Sequence, residues 1–231
     1  MTADLLPGGP PTALRLLDGA AAGELAGLCA TFEELQTVLR CCEHLVAGLD
    51  PRQGGRGGPD GVSIEAAWTV ALLSYARCFR TGPDTGAGAG LTEEDVTAAQ
   101  PGAEVLEWHQ VLMRLRDHYA DPEVNPREHF SVGVAQDELG AASGVAITST
   151  RQPLVDEVTV RQLGAIAYAL STAVDARIAS RQEELFAQVK DTPPADLDKL
   201  EMLDLAVTET PSPEAATPEA PAPERERVPD E

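Results

Sequence analysis

The chain has 231 residues, and its 38 acidic and 17 basic side chains give it a formal charge of −21. This excess of acid repels a phosphate backbone, so general nucleic-acid binding and attachment to anionic membranes are disfavoured. Hydrophobic residues make up 43% of the chain but aromatic residues only 4%; a core built mainly from Ala, Leu and Val favours closely packed helices.

The cysteines and histidines do not form a recognisable metal site. None of the four cysteines belongs to a CxxC motif, and the four histidines lack zinc-ligand spacing. We expect no metal and no cofactor, and interpret the cysteines as small apolar side chains in a reducing compartment. No leader-type start is visible, and no apolar run approaches the about 20 residues of a membrane-spanning helix. We expect a cytoplasmic protein that does not enter a membrane.

The first part of the chain predicts a flexible start and then one long helix. Residues 1–11 contain Pro and Gly and are expected to be flexible. Residues 12–29 predict only short helical turns, interrupted at Gly19 and Gly23. Thr31 and Glu34 have the spacing of a capping box, which predicts a helix from Thr31. Its apolar stripe has residues three and four apart and runs to the Asp50-Pro51 stop: Leu35, Val38, Leu39, Cys42, Leu45, Val46 and Leu49.

Two apolar helices in the middle of the chain are expected to form the centre of the domain. The first begins near Ser63 and has a stripe formed by Ile64, Trp68, Ala71, Leu72, Tyr75 and Phe79. A Gly-rich linker, residues 82–90, and a short acidic turn beginning at Thr92 follow. The second spans about residues 103–119, and its stripe comprises Val105, Trp108, Leu112, Leu115 and Tyr119.

The pattern then changes from helical spacing to strict alternation. Phe130, Val132 and Val134 alternate with small residues, and residues 144–151 are rich in β-branched side chains. We predict a β-hairpin that pairs residues 129–136 with 144–151. Because an isolated hairpin is marginally stable in water, we expect it to lie against the helices.

The longest predicted helix follows the hairpin and closes the domain. It begins at Thr159, whose spacing to Gln162 indicates another capping box, and it extends to about Lys190. The domain therefore spans residues 12–190, and residues 191–231 form an acidic tail rich in Pro, Glu and Ala, with twelve acids against three bases.

The tail contains one segment that could fold. Residues 195–207 predict a short amphipathic helix with Leu197, Leu200, Leu203 and Val207 on one side. This side is a candidate for binding a partner protein, or for folding back onto the domain. Beyond residue 208 the composition predicts disorder.

One charged segment suggests chemistry. Arg114, Arg116, Asp117 and His118 lie at the end of a core helix, and Arg114 and His118 share a face. Arg and His together can hold a phosphate and move a proton, as a metal-independent ribonuclease requires. The alternative is that Arg and His complement the negative end of the helix dipole.

At these residues the chain resembles HEPN-type helical domains of bacteria. The resemblance covers about residues 30–185 and rests on the order of elements: a helix ending YARCF, a helix ending in the Arg-Asp-His segment, a hairpin and a long helix. It implies a homodimer; in active members an Arg-x(4–6)-His motif from two subunits cleaves RNA, whereas other members are interaction partners. Here only three residues separate Arg114 from His118, and Asp121 stands about where a histidine is expected. The chain is therefore more similar to a non-catalytic member.

A second cluster lies at the end of the preceding helix. Arg77 and Arg80 could bind an anion, or could simply complement the helix dipole beside a buried aromatic pair. Trp68, Tyr75 and Trp108 could line a pocket for a small ligand, if their rings leave a cavity.

We therefore predict a mainly α protein: a bundle of four to five helices, one β-hairpin before the last long helix, and a disordered acidic tail. The leading functional hypothesis is a non-enzymatic interaction or regulatory protein of HEPN-like type that forms a homodimer through its long helices. The alternatives are a metal-independent RNase or toxin, which would bind RNA, and a small-ligand sensor.

Overall fold

The computed structural model describes residues 13–49, 61–80 and 90–203. The chain divides into a main compact unit, residues 17–192, and a smaller one built from its two ends, residues 1–16 and 193–231. In the part that is described, no helix is both long enough and apolar enough to cross a bilayer.

The main unit is the predicted helical bundle with a hairpin before its last long helix, so the fold class is confirmed. Its elements in chain order are α1 (Ala20–Leu49), α2 (Gly61–Arg77), α3 (Glu93–Ala99), α4 (Ala103–Ala120), β2 (Glu128–Gln136), β3 (Ala142–Arg151) and α5 (Glu157–Val189), with β1 (Leu14–Arg15) preceding them in the smaller unit. Helix α1 packs against both α5 and α2, α2 also packs against α4, and α3 contacts α4 and α5.

The core is built from the apolar stripes that the sequence shows. Fully buried side chains come from α1, α2, α4 and α5, among them Leu35, Leu45, Leu72, Leu112 and Leu163. Since apolar burial contributes about 25 cal/mol per Å², this shared interior is the main source of the bundle's stability. Ion pairs between helices, Arg181 with Glu24 and Arg177 with Asp95, join α5 to α1 and α3 at the surface.

The start of α1 differs from the prediction. The helix begins at Ala20 and is continuous for 30 residues through Gly23 and Thr31. Thr31 is a buried residue inside the helix and not its cap. The cost of about 1 kcal/mol for a glycine in a helix is small beside the burial that a longer α1 gains against α5.

Two other helix starts also differ. Helix α2 begins at Gly61, so Ser63 lies in its first turn. Helix α5 is capped by Asp156, whose Oδ1 accepts a hydrogen bond from the Thr159 amide at 2.8 Å. The Thr159 amide therefore donates to the cap, and Thr159 is not the cap itself. The helix begins at Glu157, two residues before the predicted start. The predicted acidic turn at Thr92 is confirmed, with a full capping box between Thr92 and Asp95.

The hairpin lies where it was predicted, but its surroundings are different. Strands β2 and β3 pair antiparallel from Glu128–Arg151 to Gln136–Ala142, with an irregularity beside Ala135. Almost every residue of both strands is exposed. The expectation that the hairpin lies against the helices was therefore wrong, and backbone pairing, not packing on the bundle, defines it.

In the smaller unit, residues 198–203 are not part of the helix predicted for residues 195–207. Helix α6 covers only Pro194–Leu197, and β4 (Met202–Leu203) pairs antiparallel with β1. Arg15 fixes this pairing, since it donates hydrogen bonds to the Leu200 carbonyl and to Asp198 at 3.1 Å each.

Several predictions fall outside the described residues. These are the flexible start (residues 1–11), most of the loop before α2, most of the Gly-rich linker, the site candidate Val207 and the disordered tail.

Candidate functional site

The Arg-Asp-His segment lies on the surface at the end of α4. Arg114 and His118 are both exposed on one face of the helix, and the His118 ring lies edge-on to Tyr119 at 6.1 Å. Arg116 contacts its neighbour Asp117, with Nε 3.2 Å from Oδ1. Within one copy of the chain the four candidates therefore split into Arg114 and His118, which are exposed on one face of α4, and a local ion pair between Arg116 and Asp117.

The two arginines after the aromatic cluster do not share an anion site. Arg77 Nη1 donates a hydrogen bond to Glu34 Oε1 at 3.4 Å, which ties α2 to α1. Arg80 follows the end of α2 and is exposed.

The aromatic residues predicted to line a pocket are core residues. Trp68 and Tyr75 are 3% and 0% exposed, and Trp108 packs half-buried against the same core. The Phe79 ring fills the space beside Tyr75, with the two ring centres 5.1 Å apart. A ligand here would have to displace core side chains.

Sequence reasoning missed His109, the partner of Tyr75. His109 is 4% exposed, and its Nδ1 lies 2.8 Å from the Tyr75 hydroxyl. Burial lowers the pKa of His109, although Glu93 opposes this shift, and burial raises the pKa of Tyr75. Both side chains are therefore neutral at pH 7 and satisfy each other as a buried polar pair. The signal was available: His109 lies four residues after Val105 and three before Leu112, in the core stripe.

The cysteines are core or half-buried thiols. Cys42 and Cys78 are buried, Cys29 and Cys41 are half-buried, and all four are free. Burial raises the pKa of the Cys78 thiol to about 12, so it is protonated and unreactive at neutral pH. Within residues 13–49, 61–80 and 90–203, no three His, Cys, Asp or Glu side chains are grouped as a metal ion would require.

The hairpin carries the most conspicuous exposed surface of the described chain. Opposite and alternate residues share a face of a hairpin, so the register places Phe130, Val132, Val134, Val145 and Ile147 together on one face. Their exposed fractions range from 56% for Phe130 to 75% for Val145. We call this set the apolar hairpin face. Leu139, at the tip, is 94% exposed.

The opposite hairpin face is narrow and smooth. Ser131 pairs with Thr148, and Gly133 with Ala146. A Cβ added at Gly133 would meet nothing within 4 Å. No Asp, Glu, Lys or Arg occurs in residues 129–136 or 142–150. In a chain of charge −21 this makes the hairpin an uncharged element on an acidic protein.

The hairpin is held at both ends by specific bonds. At its tip, Asp137 Oδ1 accepts hydrogen bonds from the amides of Leu139 and Ala141 at 2.9 and 2.8 Å, and Gly140 takes the positive φ of +81° that the turn requires. At its base, Arg127 pairs with Glu65 of α2. The tip and base are thus ordered although neither face is covered.

The leucines predicted to bind a partner do not form one face. Leu197 ends α6, Leu200 follows it and Leu203 lies in β4. Leu197 and Leu200 are half-buried and Leu203 is 43% exposed.

Comparison with family models, with curated proteins and with solved structures found no match to this chain.

Proposed function

We propose that the chain is a non-enzymatic protein-binding module of HEPN-like type, and that the hairpin β2–β3 is its binding element. The observation that carries this proposal is the apolar hairpin face, which exposes five large or β-branched apolar side chains side by side. Exposed apolar patches of this kind characterise interaction sites, because a monomer gains nothing by keeping them in water.

The charge distribution supports a protein partner over the alternatives. An acidic chain repels nucleic acid and anionic lipid over a distance of about 10 Å, whereas an uncharged hairpin adds no repulsion of its own to a protein contact. Both strands also have an outer edge that pairs with no other strand in the described part of the chain. A partner can therefore use backbone hydrogen bonds as well as the apolar face.

The test is site-specific photo-crosslinking in the cells that encode the protein. A photoreactive residue at Val134, on the apolar hairpin face, is compared with one at Thr172, exposed on α5. We expect a discrete covalent adduct from position 134 and none from 172. The substitutions Val132→Thr and Ile147→Thr keep the strand shape but remove methyl groups, and should abolish the adduct. Equal adducts at both positions, or none at 134, would contradict the proposal.

A metal-independent RNase is the second candidate, favoured by the exposed Arg114 and His118 on one face of α4. It requires the two residues of two copies to converge. Incubation with total RNA in EDTA tests it: cleavage that His118→Ala removes and His129→Ala, an exposed control on the hairpin, retains would establish it.

A further inference from the structure

We infer that the occupant of the hairpin edge is a second copy of this chain, and that two β3 strands pair antiparallel into one four-stranded sheet. This inference rests on the proposed function, since it names the partner of the same element. A two-stranded hairpin is marginal in water, whereas three or more strands with an apolar face are stable. The missing strands must come from outside the described chain, because the sheet contains only β2 and β3.

Symmetry favours a second copy. Two identical strands that pair antiparallel are related by a two-fold axis perpendicular to the sheet, so the contact closes as a dimer and does not propagate. Such an axis places one residue opposite itself. The irregularity at Ser143, which has no partner on β2, limits regular pairing to residues 144–151. Two symmetric pairings of seven residues fit that range: residues 144–150, with Ile147 opposite itself, and residues 145–151, with Thr148 opposite itself. We take the first, because it sets two apolar side chains directly opposite each other, whereas the second sets Val145 opposite Arg151.

Charge selects β3 over β2. In antiparallel pairing the base of one hairpin lies beside the tip of the other. The tip carries Asp137 and Glu138, the base of β3 ends in Arg151, and the base of β2 begins with Glu128. Pairing through β3 therefore brings Arg151 near the acidic tip of the second copy, while pairing through β2 would bring Glu128 there, since the neighbouring Arg127 is already paired with Glu65. Opposite charges at the two ends favour the β3 edge and disfavour the β2 edge.

The resulting sheet also extends the apolar face. With Ile147 opposite itself, the odd-numbered β3 residues of both copies point to the same side of the sheet. The apolar hairpin faces of both copies therefore lie on that side. Pro, Lys and other charged residues protect a free strand edge from pairing with another chain. Strand β3 has no Pro or Lys, and it has no charged residue before Arg151.

Cysteine crosslinking tests the geometry of this dimer. Ile147→Cys should form a symmetric disulfide under mild oxidation, since directly opposite residues have Cα atoms about 4.5–5.5 Å apart. Val132→Cys is the matched control: it is the direct neighbour of Ile147 on the same face but lies on β2. Two copies of residue 132 would be three strand spacings apart, about 14 Å, beyond a disulfide's reach. Crosslinking at 132 as fast as at 147 would overturn the β3 pairing.

Charge exchange tests the same contact without cysteines. In sedimentation across a concentration series, Arg151→Glu should raise the dimer dissociation constant about tenfold, and Glu138→Arg should raise it similarly. The two together should restore the wild-type constant. Lys190→Glu, exposed at the end of α5, is the control and should change nothing.

A protein that remains monomeric at every concentration would overturn the self-pairing. If position 134 still gave a discrete adduct of another mass, the proposed function would stand with a different partner. A monomer without any adduct would remove both.

Discussion

The bundle and the hairpin use the same kinds of side chain in opposite ways. In the bundle, Leu35, Leu45 and Val174 are fully buried. In the hairpin, Val132 and Ile147 pair across the strands but remain 71% exposed each. Apolar residues of the bundle therefore stabilise the fold, while those of the hairpin contribute little to the folding of a single copy.

The difference separates two kinds of experiment. A substitution in the core changes the free energy of unfolding and affects any function through loss of folded protein. A substitution on the apolar hairpin face changes association while the bundle remains folded. Polar groups follow the same division: His109 and Tyr75 are satisfied inside the bundle, whereas the hairpin edges keep backbone groups available to a partner.

The largest expected effect comes from truncating the core. Leu45→Ala should lower the free energy of unfolding by about 2–5 kcal/mol, because it removes buried methyl groups and leaves a cavity. Ile147→Ala removes a similar volume from an exposed site and should cost less than about 1 kcal/mol at a concentration where the protein is monomeric. Urea unfolding of both variants measures the difference. Equal losses of unfolding free energy in the two variants would mean that the hairpin is part of the folding core, which would contradict the difference between bundle and hairpin.

The buried polar pair should give the next effect. Tyr75→Phe removes the hydroxyl and leaves His109 Nδ1 without its partner, at a cost of about 1–3 kcal/mol. Tyr168→Phe, at an exposed position of α5, is the matched control and should be neutral. A neutral Tyr75→Phe would show that another group satisfies His109.

The same pair predicts how stability depends on pH. Burial lowers the pKa of His109 in the folded protein, so the unfolded chain binds a proton first as the pH falls. The free energy of unfolding therefore has its highest value above about pH 6.5, the pKa of histidine in the unfolded chain. It declines as the pH falls below that value, until the pH passes the lower pKa of His109 in the folded protein. His109→Asn keeps a hydrogen-bonding group near Nδ1 but does not titrate, and it should flatten this decline.

The successes and errors of sequence reading have physical causes. The bounds of α4 and the position of the hairpin in the chain could be read because each rests on a repeated pattern, as with Phe130, Val132 and Val134. The start of α1 was misread because a capping box is only a four-residue pattern, and Thr31 with Glu34 has it inside a helix. Tertiary burial outweighed the local signals at Gly23 and Thr31.

The candidate site was harder to predict than the fold. Tyr75 and His109 are 34 residues apart, so their hydrogen bond depends on how α2 packs on α4, and periodicity does not give that. The exposure of the hairpin was missed for a related reason: alternation shows that one face is apolar, but not whether the same chain covers it. A partner outside the chain leaves the same pattern in the sequence as a core does.

A smaller loss of stability is expected from a change at the cap of α3, the helix that carries Asp95 and contacts α5. Thr92→Ala removes the cap of α3 and should cost at most about 1 kcal/mol, since its hydroxyl accepts from the Asp95 amide at 3.4 Å. Thr97→Ala, exposed within the same helix, is the control and should be neutral or slightly stabilising, because alanine is the better helix former. A loss at residue 97 as large as that at 92 would mean that α3 depends on its side-chain packing more than on its cap.

The smallest expected change is a gain. Gly23 lies inside α1 with no heavy atom within 4 Å of an added Cβ, so Gly23→Ala should raise the free energy of unfolding by about 0.5–1 kcal/mol through reduced freedom of the unfolded chain. At Gly164 in α5, an added Cβ would lie 3.6 Å from the Cβ of Cys42. That distance is an ordinary van der Waals contact, but the added methyl group lies where α5 packs against α1. Gly164→Ala should therefore raise the free energy of unfolding by less than Gly23→Ala. Urea midpoints of the two variants decide the order; a loss at residue 23 would show that α1 is not helical there and that the helix starts closer to Thr31.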